Sequence, residues 1–243
     1  MVYSLHIGIN KYSVSEYGEG ANLTQCVRDA YALAEIARTK FNSSNARVLA
    51  DEFCTLANIK HELTKYAHLM NANDVLLYTH SGHGTYHDYQ GTRATGVCAY
   101  DGVFWDFQLF PFWKQFRAGT RVVRLIDTCY SESSFRTAQP LGRTRFIQMP
   151  KAPVIKPTTN KMAEVRCSII SVSSSTVKQP SYENDKGGVF TLALEELFKQ
   201  DAIPTYNELH KFTTGQINAW KYPQTPRLEA HNAGQYKAKK FLT

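Results

Sequence analysis

No stretch of the sequence approaches the roughly 18 consecutive apolar residues that a membrane-spanning helix requires. A signal-peptide pattern is also missing, because Met1 leads directly into an apolar, strand-like segment. Cysteine is sparse, and no two cysteines form a Cys-x-x-Cys pair, which argues against a disulfide framework and against a structural zinc site. These absences predict a soluble, cytoplasmic protein with no membrane partner. The five cysteines are Cys26, Cys54, Cys98, Cys129 and Cys167.

Acidic residues are the minority among the charged residues, and the formal net charge is +7. Much of the excess lies between Arg136 and Arg166, where seven basic residues stand against one acid. A basic chain can indicate a nucleic-acid partner. This basic segment carries no nucleic-acid recognition motif, so we expect no such partner. The 43% hydrophobic content of a 243-residue chain predicts a single domain with a substantial core.

Two apolar runs end close to residues that can perform chemistry. Residues 74–79 predict a buried strand that leads into Ser81-Gly82-His83-Gly84, and residues 121–126 predict another that stops just before Cys129. If these strands are parallel neighbours, His83 and Cys129 meet at the carboxyl edge of one sheet. Open α/β sheets place their sites at that edge.

A thiol beside an imidazole is the minimum apparatus for nucleophilic acyl transfer. The imidazole takes the thiol proton and later protonates the leaving amine. His83 also stands between glycines, which let the backbone approach a substrate closely. We therefore predict that His83 and Cys129 form a catalytic dyad.

The motifs at His83 and Cys129 resemble those of caspase-like cysteine peptidases. The run Asp-Thr-Cys-Tyr-Ser around Cys129 follows His83-Gly84 at a spacing close to the caspase pattern, and it keeps the Asp and Ser typical of metacaspases. Tyrosine at 130 and glutamate at 132 replace the usual histidine and glycine, which leaves the dyad intact. The resemblance implies a caspase-like α/β fold with a mostly parallel central β-sheet flanked by helices, an αβα sandwich.

The same resemblance implies an oxyanion hole and a substrate pocket. In the family, backbone N–H groups corresponding to those of Gly84 and Cys129 hold the oxyanion. An acidic pocket for Arg or Lys side chains is formed by residues that correspond to Asp29, Ser81 and Asp127. The resemblance therefore predicts a cysteine endopeptidase that cleaves after Arg or Lys.

Asp127 supports this specificity on physical grounds. It lies two positions before Cys129 and so emerges from the same strand end. An unpaired buried carboxylate is costly, which favours pairing with a cationic substrate side chain. The alternative is that Asp127 pairs with an internal arginine such as Arg28 or Arg124.

A basic, proline-rich linker at residues 135–162 divides the single domain into a larger half, 1–134, and a smaller half, 163–243. We expect this linker to be an exposed loop without regular structure. Self-cleavage there is a hypothesis for how a latent precursor is activated, and the alternative is a merely solvated loop. The candidate cleavage positions are Arg136, Arg143, Arg145, Lys151 and Lys161.

The sequence leaves two alternative functions open, and it also gives expectations about ligands and partners. The chain could be a catalytically silent caspase-like interaction module, or a peptidase of the same clan with another specificity. We predict no metal and no cofactor, because Asp88, Asp101 and Asp106 lack the paired acids that a family-type calcium site would need. The expected partners are proteins or peptides with exposed Arg or Lys, together with a possible activating protein.

Apolar spacing also predicts the secondary structure. Strands are expected at residues 2–9, 47–50, 74–79, 97–100, 121–126 and 167–172. Helices are expected from about Asn22, where the asparagine would cap the helix, and at 55–70, 106–116, 188–199 and 206–220. The polar residues 86–96 predict a mobile loop beside the site.

Overall fold

The computed structural model describes residues 1–43, 45–89, 92–129, 143–147, 162–176 and 179–243, with the backbone alone at 89, 92 and 93. In chain order the helices and strands are β1 (Val2–Gly8), α1 (Val14–Tyr17), α2 (Cys26–Phe41), β2 (Ala46–Ala50), α3 (Leu56–Leu69), β3 (Val75–Ser81), β4 (Gly84–Tyr89), β5 (Thr92–Ala99), β6 (Gly102–Trp105), α4 (Phe110–Trp113), β7 (Arg121–Asp127), β8 (Arg143–Thr144), β9 (Ser168–Ser173), β10 (Tyr182–Asn184), β11 (Gly187–Gly188), α5 (Val189–Phe198), α6 (Tyr206–Ala219) and β12 (Arg227–His231).

Six of the described strands form a central sheet in the order β12-β9-β7-β3-β1-β2. The strands from β9 to β2 pair in parallel, and β12 pairs antiparallel to β9 at one edge. A parallel sheet is covered on both faces, which explains why β3 is buried along its whole length. The predicted α/β fold with a mostly parallel central sheet is confirmed.

Alternate residues of β3 point to opposite faces, as the period of a strand requires. Leu76 and Tyr78 belong to the core that includes residues of α3 and α4, whereas Val75 and Leu77 belong to the core with α2, α5 and α6. The helices therefore form two layers with the sheet between them.

The register of β3 and β7 sets the geometry of the site. Val75 pairs with Arg121, and the alignment continues without interruption to Ser81 paired with Asp127. The two strands end together, so the chain leaves the sheet at neighbouring points on its way to His83 and to Cys129.

Smaller antiparallel sheets flank this edge. One consists of β4, β5 and β6, and the other consists of β8, β10 and β11. The predicted mobile loop at 86–96 is wrong, because most of this stretch belongs to the β4 and β5 ladder. The prediction of a loop rested on the polar side chains of this stretch. An antiparallel ladder satisfies the backbone polar groups while leaving one face in water.

Two further expectations need correction, and one strand is absent from the predictions. Helix α2 begins at Cys26 after Gln25, and the Asn22 side-chain oxygen instead accepts a hydrogen bond from the Tyr12 N–H at 3.1 Å. The helix expected at 106–116 is a 3-10 turn, Asp106–Leu109, followed by the short α4. The edge strand β12 was not predicted, because its five residues show no apolar run.

No helix in the described part of the chain is long and apolar enough to cross a membrane.

The stability of the fold should fall in mild acid because of two buried histidines. Burial lowers the pKa of His6 and of His80 to about 3, whereas the pKa of an unfolded histidine is about 6.5. Below pH ~6.5 the unfolded chain binds protons that the folded chain does not, so stability is fully present above that pH. Each histidine is expected to lower the free energy of unfolding by about 1.4 kcal/mol per pH unit as the pH falls from ~6.5 towards about 3.

Urea unfolding at pH 7.5, 6 and 5 measures this slope. The His6→Asn variant should show a shallower pH dependence than the parent. His61→Asn, which alters an exposed position on α3, is the matched control. A slope unchanged in His6→Asn contradicts the assignment.

Candidate active site

His83 is held in one orientation by backbone groups. Its Nε2–H donates to the Ala21 carbonyl at 2.7 Å, and its own backbone N–H donates to the Tyr12 hydroxyl at 2.7 Å. The other ring nitrogen, Nδ1, has no hydrogen-bond partner within the described ranges. The Ala21 bond places the proton on Nε2 and leaves Nδ1 as the acceptor. Burial lowers the pKa of His83, which keeps the ring neutral and able to accept a proton.

The thiol of Cys129 is fully buried against the Ser181 peptide. Ser181 N–H donates to Sγ at 2.6 Å, and the thiol donates to the Ser181 carbonyl at 3.1 Å. Burial raises the pKa of Cys129 to about 12, so the group is a thiol and not a thiolate in this state. Cys129 must therefore lose its proton before its sulfur can act as a nucleophile.

A piece of the same chain, residues 143–147, lies in the cleft that Gly84, Cys129 and Ser181 form. Arg143 and Thr144 form β8, which pairs antiparallel with Glu183 and Tyr182 of β10. The N–H of Arg145 donates to the Ser181 carbonyl at 3.0 Å. The segment thus crosses the site as an added β-strand, which is a common way for a protein to bind an extended peptide.

The carbonyl oxygen of Arg145 accepts from the two predicted oxyanion donors. Gly84 N–H donates to it at 2.9 Å and Cys129 N–H at 3.3 Å. A Cβ at position 84 would collide with the Cys129 carbonyl, so only glycine brings its N–H this close. The donors predicted from the motifs therefore converge on one carbonyl oxygen.

The Arg145 side chain fills an acidic pocket and is fully buried. Its Nη2 lies 2.6 Å from Asp29 Oδ2 and 3.4 Å from Glu183 Oε2, and its Nη1 lies 3.0 Å from Asp127 Oδ2. Nη1 also donates to the Ser81 hydroxyl at 2.7 Å. The structure thus brings the predicted pocket residues together around one guanidinium.

Neighbouring groups fix the pocket carboxylates in place. Asp127 accepts from the hydroxyls of Ser181 and Thr191, each at 2.9 Å. Asp29 accepts from the Gly188 N–H, and a Cβ at Gly188 would collide with Asp127 and with the guanidinium. Burial raises the pKa of Asp127, and the Arg145 charge opposes that rise. Burial lowers the pKa of Arg145, but the surrounding acids together outweigh burial and raise that pKa above its usual value.

The structure corrects two expectations about arginines. Asp127 does pair with an internal arginine, but with Arg145 and not with Arg28 or Arg124, which pair with Glu195 and Asp106. The linker was expected to be an exposed loop without regular structure. This is wrong for Arg143 and Thr144, which form β8. It is also wrong for Arg145, which is buried because the paired charges and hydrogen bonds of the pocket offset its desolvation.

The candidate cleavage positions have different surroundings. Arg143 is exposed, and Arg145 lies in the pocket. Arg136, Lys151 and Lys161 lie outside the described residues.

Comparison with known proteins identifies the family of the chain. Residues 3–137 match a family model described as metacaspase, peptidase C14 domain. The chain belongs to this metacaspase family. The match supports the chemistry of a cysteine peptidase, and it contains both His83 and Cys129.

Solved structures place the fold of this metacaspase-family chain among caspase-like proteins. It is similar to a protein from Geobacter sulfurreducens, with a TM-score of 0.82 and 22% identity over 100% of this chain and 98% of that chain. It is also similar to caspase-1 from Spodoptera frugiperda, with a TM-score of 0.62 and 15% identity over 94% of this chain and 85% of that chain. At these identities the likenesses concern the fold alone. No curated protein matches the chain.

Several site residues of this metacaspase-family chain escaped the sequence analysis. The Ala21 carbonyl could not be found, because every residue carries a carbonyl. Glu183 and Ser181 lie on and beside β10, a strand too short to give a periodic signal. Among the residues that the structure describes, no group of three or more His, Cys, Asp or Glu is arranged to hold a metal ion.

Proposed function

We propose that the chain is a cysteine endopeptidase that cleaves after Arg or Lys and is held latent by its own Arg145. The observation that carries the proposal is the position of the Arg145 carbonyl, which accepts from Gly84 N–H and Cys129 N–H while the side chain fills the acidic pocket. A substrate residue at the cleavage point must satisfy the same requirements: charge in the pocket and a carbonyl at the developing oxyanion.

The proposed reaction uses groups already in the cleft. Cys129 Sγ attacks the carbonyl carbon of the bound Arg, and the thiol proton moves to His83 Nδ1. The oxyanion that forms is held by the N–H groups of Gly84 and Cys129. The imidazolium then protonates the leaving amine, and water hydrolyses the thioester to regenerate the thiol.

The attack requires one local change. Sγ is now hydrogen-bonded to the Ser181 peptide, and Nδ1 of His83 makes no hydrogen bond to it. A rotation of the Cys129 side chain away from Ser181 breaks these bonds and exchanges them for the imidazole. This requirement supports a latent state that turns over slowly by itself or waits for an activating partner.

Arg145–Phe146 is the proposed self-cleavage bond. Arg143 is a poor candidate, because its side chain is exposed and lies outside the pocket. Among the described residues its guanidinium donates to the Asn22 carbonyl, at 3.5 Å, and to no pocket carboxylate.

Intact-mass analysis of the purified chain tests the proposal. On prolonged incubation the wild type should yield a fragment that begins at Phe146, and it should cleave peptides ending in Arg or Lys but not in Asp. Cys129→Ala should abolish both activities because it removes the nucleophile. Cys167→Ala, which alters another fully buried cysteine outside the cleft, should retain both. Assays with and without calcium show whether the cation matters.

The outcomes separate the competing functions. If the wild type and Cys129→Ala are equally inert, also after Arg145 has been removed from the pocket, latency imposed by Arg145 is refuted and the silent interaction module is favoured. Cleavage after Asp contradicts the acidic pocket while leaving the dyad in place. Cleavage after Arg143 contradicts the register in which residues 143–147 cross the cleft.

A further inference from the structure

The residue after the proposed cleavage point contacts a specific side chain. Phe146 stacks on Tyr86 of β4, with ring centroids 5.7 Å apart and an interplanar angle of 29°. Building on the proposed function, we infer that Tyr86 forms a subsite that selects an aromatic residue immediately after the cleaved bond.

The backbone positions this contact. Gly84 and Phe146 form a parallel bridge, and the Ile147 N–H donates to the Gly84 carbonyl at 3.2 Å. Gly84 therefore binds the chain on both sides of the bond, through its N–H before the bond and through its carbonyl after it. A peptide bound in this way runs alongside β4. The residues of the peptide that follow the cleaved bond therefore lie next to the residues of β4 that follow Gly84.

Tyr86 lies two positions after Gly84, and residues two apart on a strand share a face. Tyr86 is therefore the next residue on the same face of β4 that contacts the bound chain at Gly84. Pairing of β4 with β5 holds this strand, with Gly84 opposite Val97 and Tyr86 opposite Thr95. The subsite is consequently built on a paired strand and not on a free loop.

The chemistry of the contact favours an aromatic side chain. Stacked rings gain more than the burial of their area alone, whereas a glycine at the same position offers no side chain to stack. A near-parallel ring pair corresponds to a preference of about tenfold in binding or in kcat/KM. An acidic or short residue after the bond is expected to be cleaved correspondingly more slowly.

Two internally quenched peptides test the inference, one containing Thr-Arg-Phe-Ile and the other Thr-Arg-Gly-Ile. They are assayed with the full chain carrying Arg145→Ala, which removes the chain's own side chain from the pocket. We expect a kcat/KM ratio of about ten for Phe over Gly, from the stacking contribution. Adding Tyr86→Ala should bring the ratio close to one, and Tyr86→Phe should restore it. Tyr31→Ala, at an exposed tyrosine on α2, is the control.

A binding measurement separates this inference from the proposed cleavage. Labelled forms of the two peptides are titrated onto the chain carrying Arg145→Ala and Cys129→Ala. If both peptides are cut and bound without preference, or if Tyr86→Ala leaves the preference unchanged, the Tyr86 subsite is refuted and the peptidase stands. If neither peptide is cut but the Phe peptide binds more tightly in a Tyr86-dependent way, the subsite stands and the proposed cleavage fails. If neither peptide is cut or bound, both ideas are wrong.

Discussion

Arg145→Ala should raise the cleavage of added arginine peptides at least about a hundredfold above that of the intact, uncut chain. A segment tethered to the molecule competes at an effective concentration of order millimolar. If the segment itself binds with an intrinsic Kd of about 1 μM, the pocket is open in only about one molecule in a thousand, and a free peptide can enter only that fraction. Removing the guanidinium removes the anchor of that competitor.

The initial rate with a fluorogenic arginine peptide measures this gain, taken before self-cleavage accumulates. Arg143→Ala is the matched control, because it removes the same charge from an exposed position two residues away. It should leave the chain as slow as the wild type. Equal rates for Arg145→Ala and the uncut wild type would show that the segment does not restrain the enzyme.

Asp127→Asn should lower kcat/KM for arginine peptides by about a hundredfold to several thousandfold, measured in the Arg145→Ala background. Asp127 lies 3.0 Å from the guanidinium, and hydroxyls of Ser181 and Thr191 hold its carboxylate in position. Breaking a buried ion pair by removing one partner costs about 3–5 kcal/mol. The decrease in kcat/KM should be larger for a cationic substrate than for an uncharged one.

The readout is the ratio of kcat/KM for an arginine peptide to that for the same peptide with citrulline, its uncharged isostere. A variant that merely folds poorly lowers both values together, whereas loss of charge recognition lowers the ratio. Glu229→Gln, which removes a carboxylate from the exposed edge strand β12, should preserve the ratio. A ratio that survives Asp127→Asn contradicts the assignment of this carboxylate to the pocket.

The sequence was most informative where local pattern and topology agreed. The apolar runs of β3 and β7 predicted buried parallel strands, and parallel strands that end together bring the residues after them to one edge. For that reason His83, Cys129 and Asp127 could be placed near each other from the sequence. The motifs added Asp29 and Ser81, whose positions no periodicity would have connected.

The remainder depended on contacts between distant parts of the chain. Nothing local in the linker distinguishes Arg145 from its basic neighbours, because its burial comes from carboxylates 116, 18 and 38 residues away in sequence. The hairpin of β4 and β5 was mistaken for a loop, since a strand pair with a solvated face looks polar. The role proposed for Tyr86 depends on its contact with Phe146, which is distant in sequence.

The parallel pairing of β7 with β9 has a consequence for what cutting would do. These strands stand on either side of the linker in the sequence, yet they are hydrogen-bonded neighbours in the middle of one sheet. Hydrolysis at Arg145 would therefore change the covalent connectivity of the molecule without separating its halves, giving two polypeptides in one particle. Because the peptide bond does not re-form spontaneously, activation by this cleavage would be irreversible.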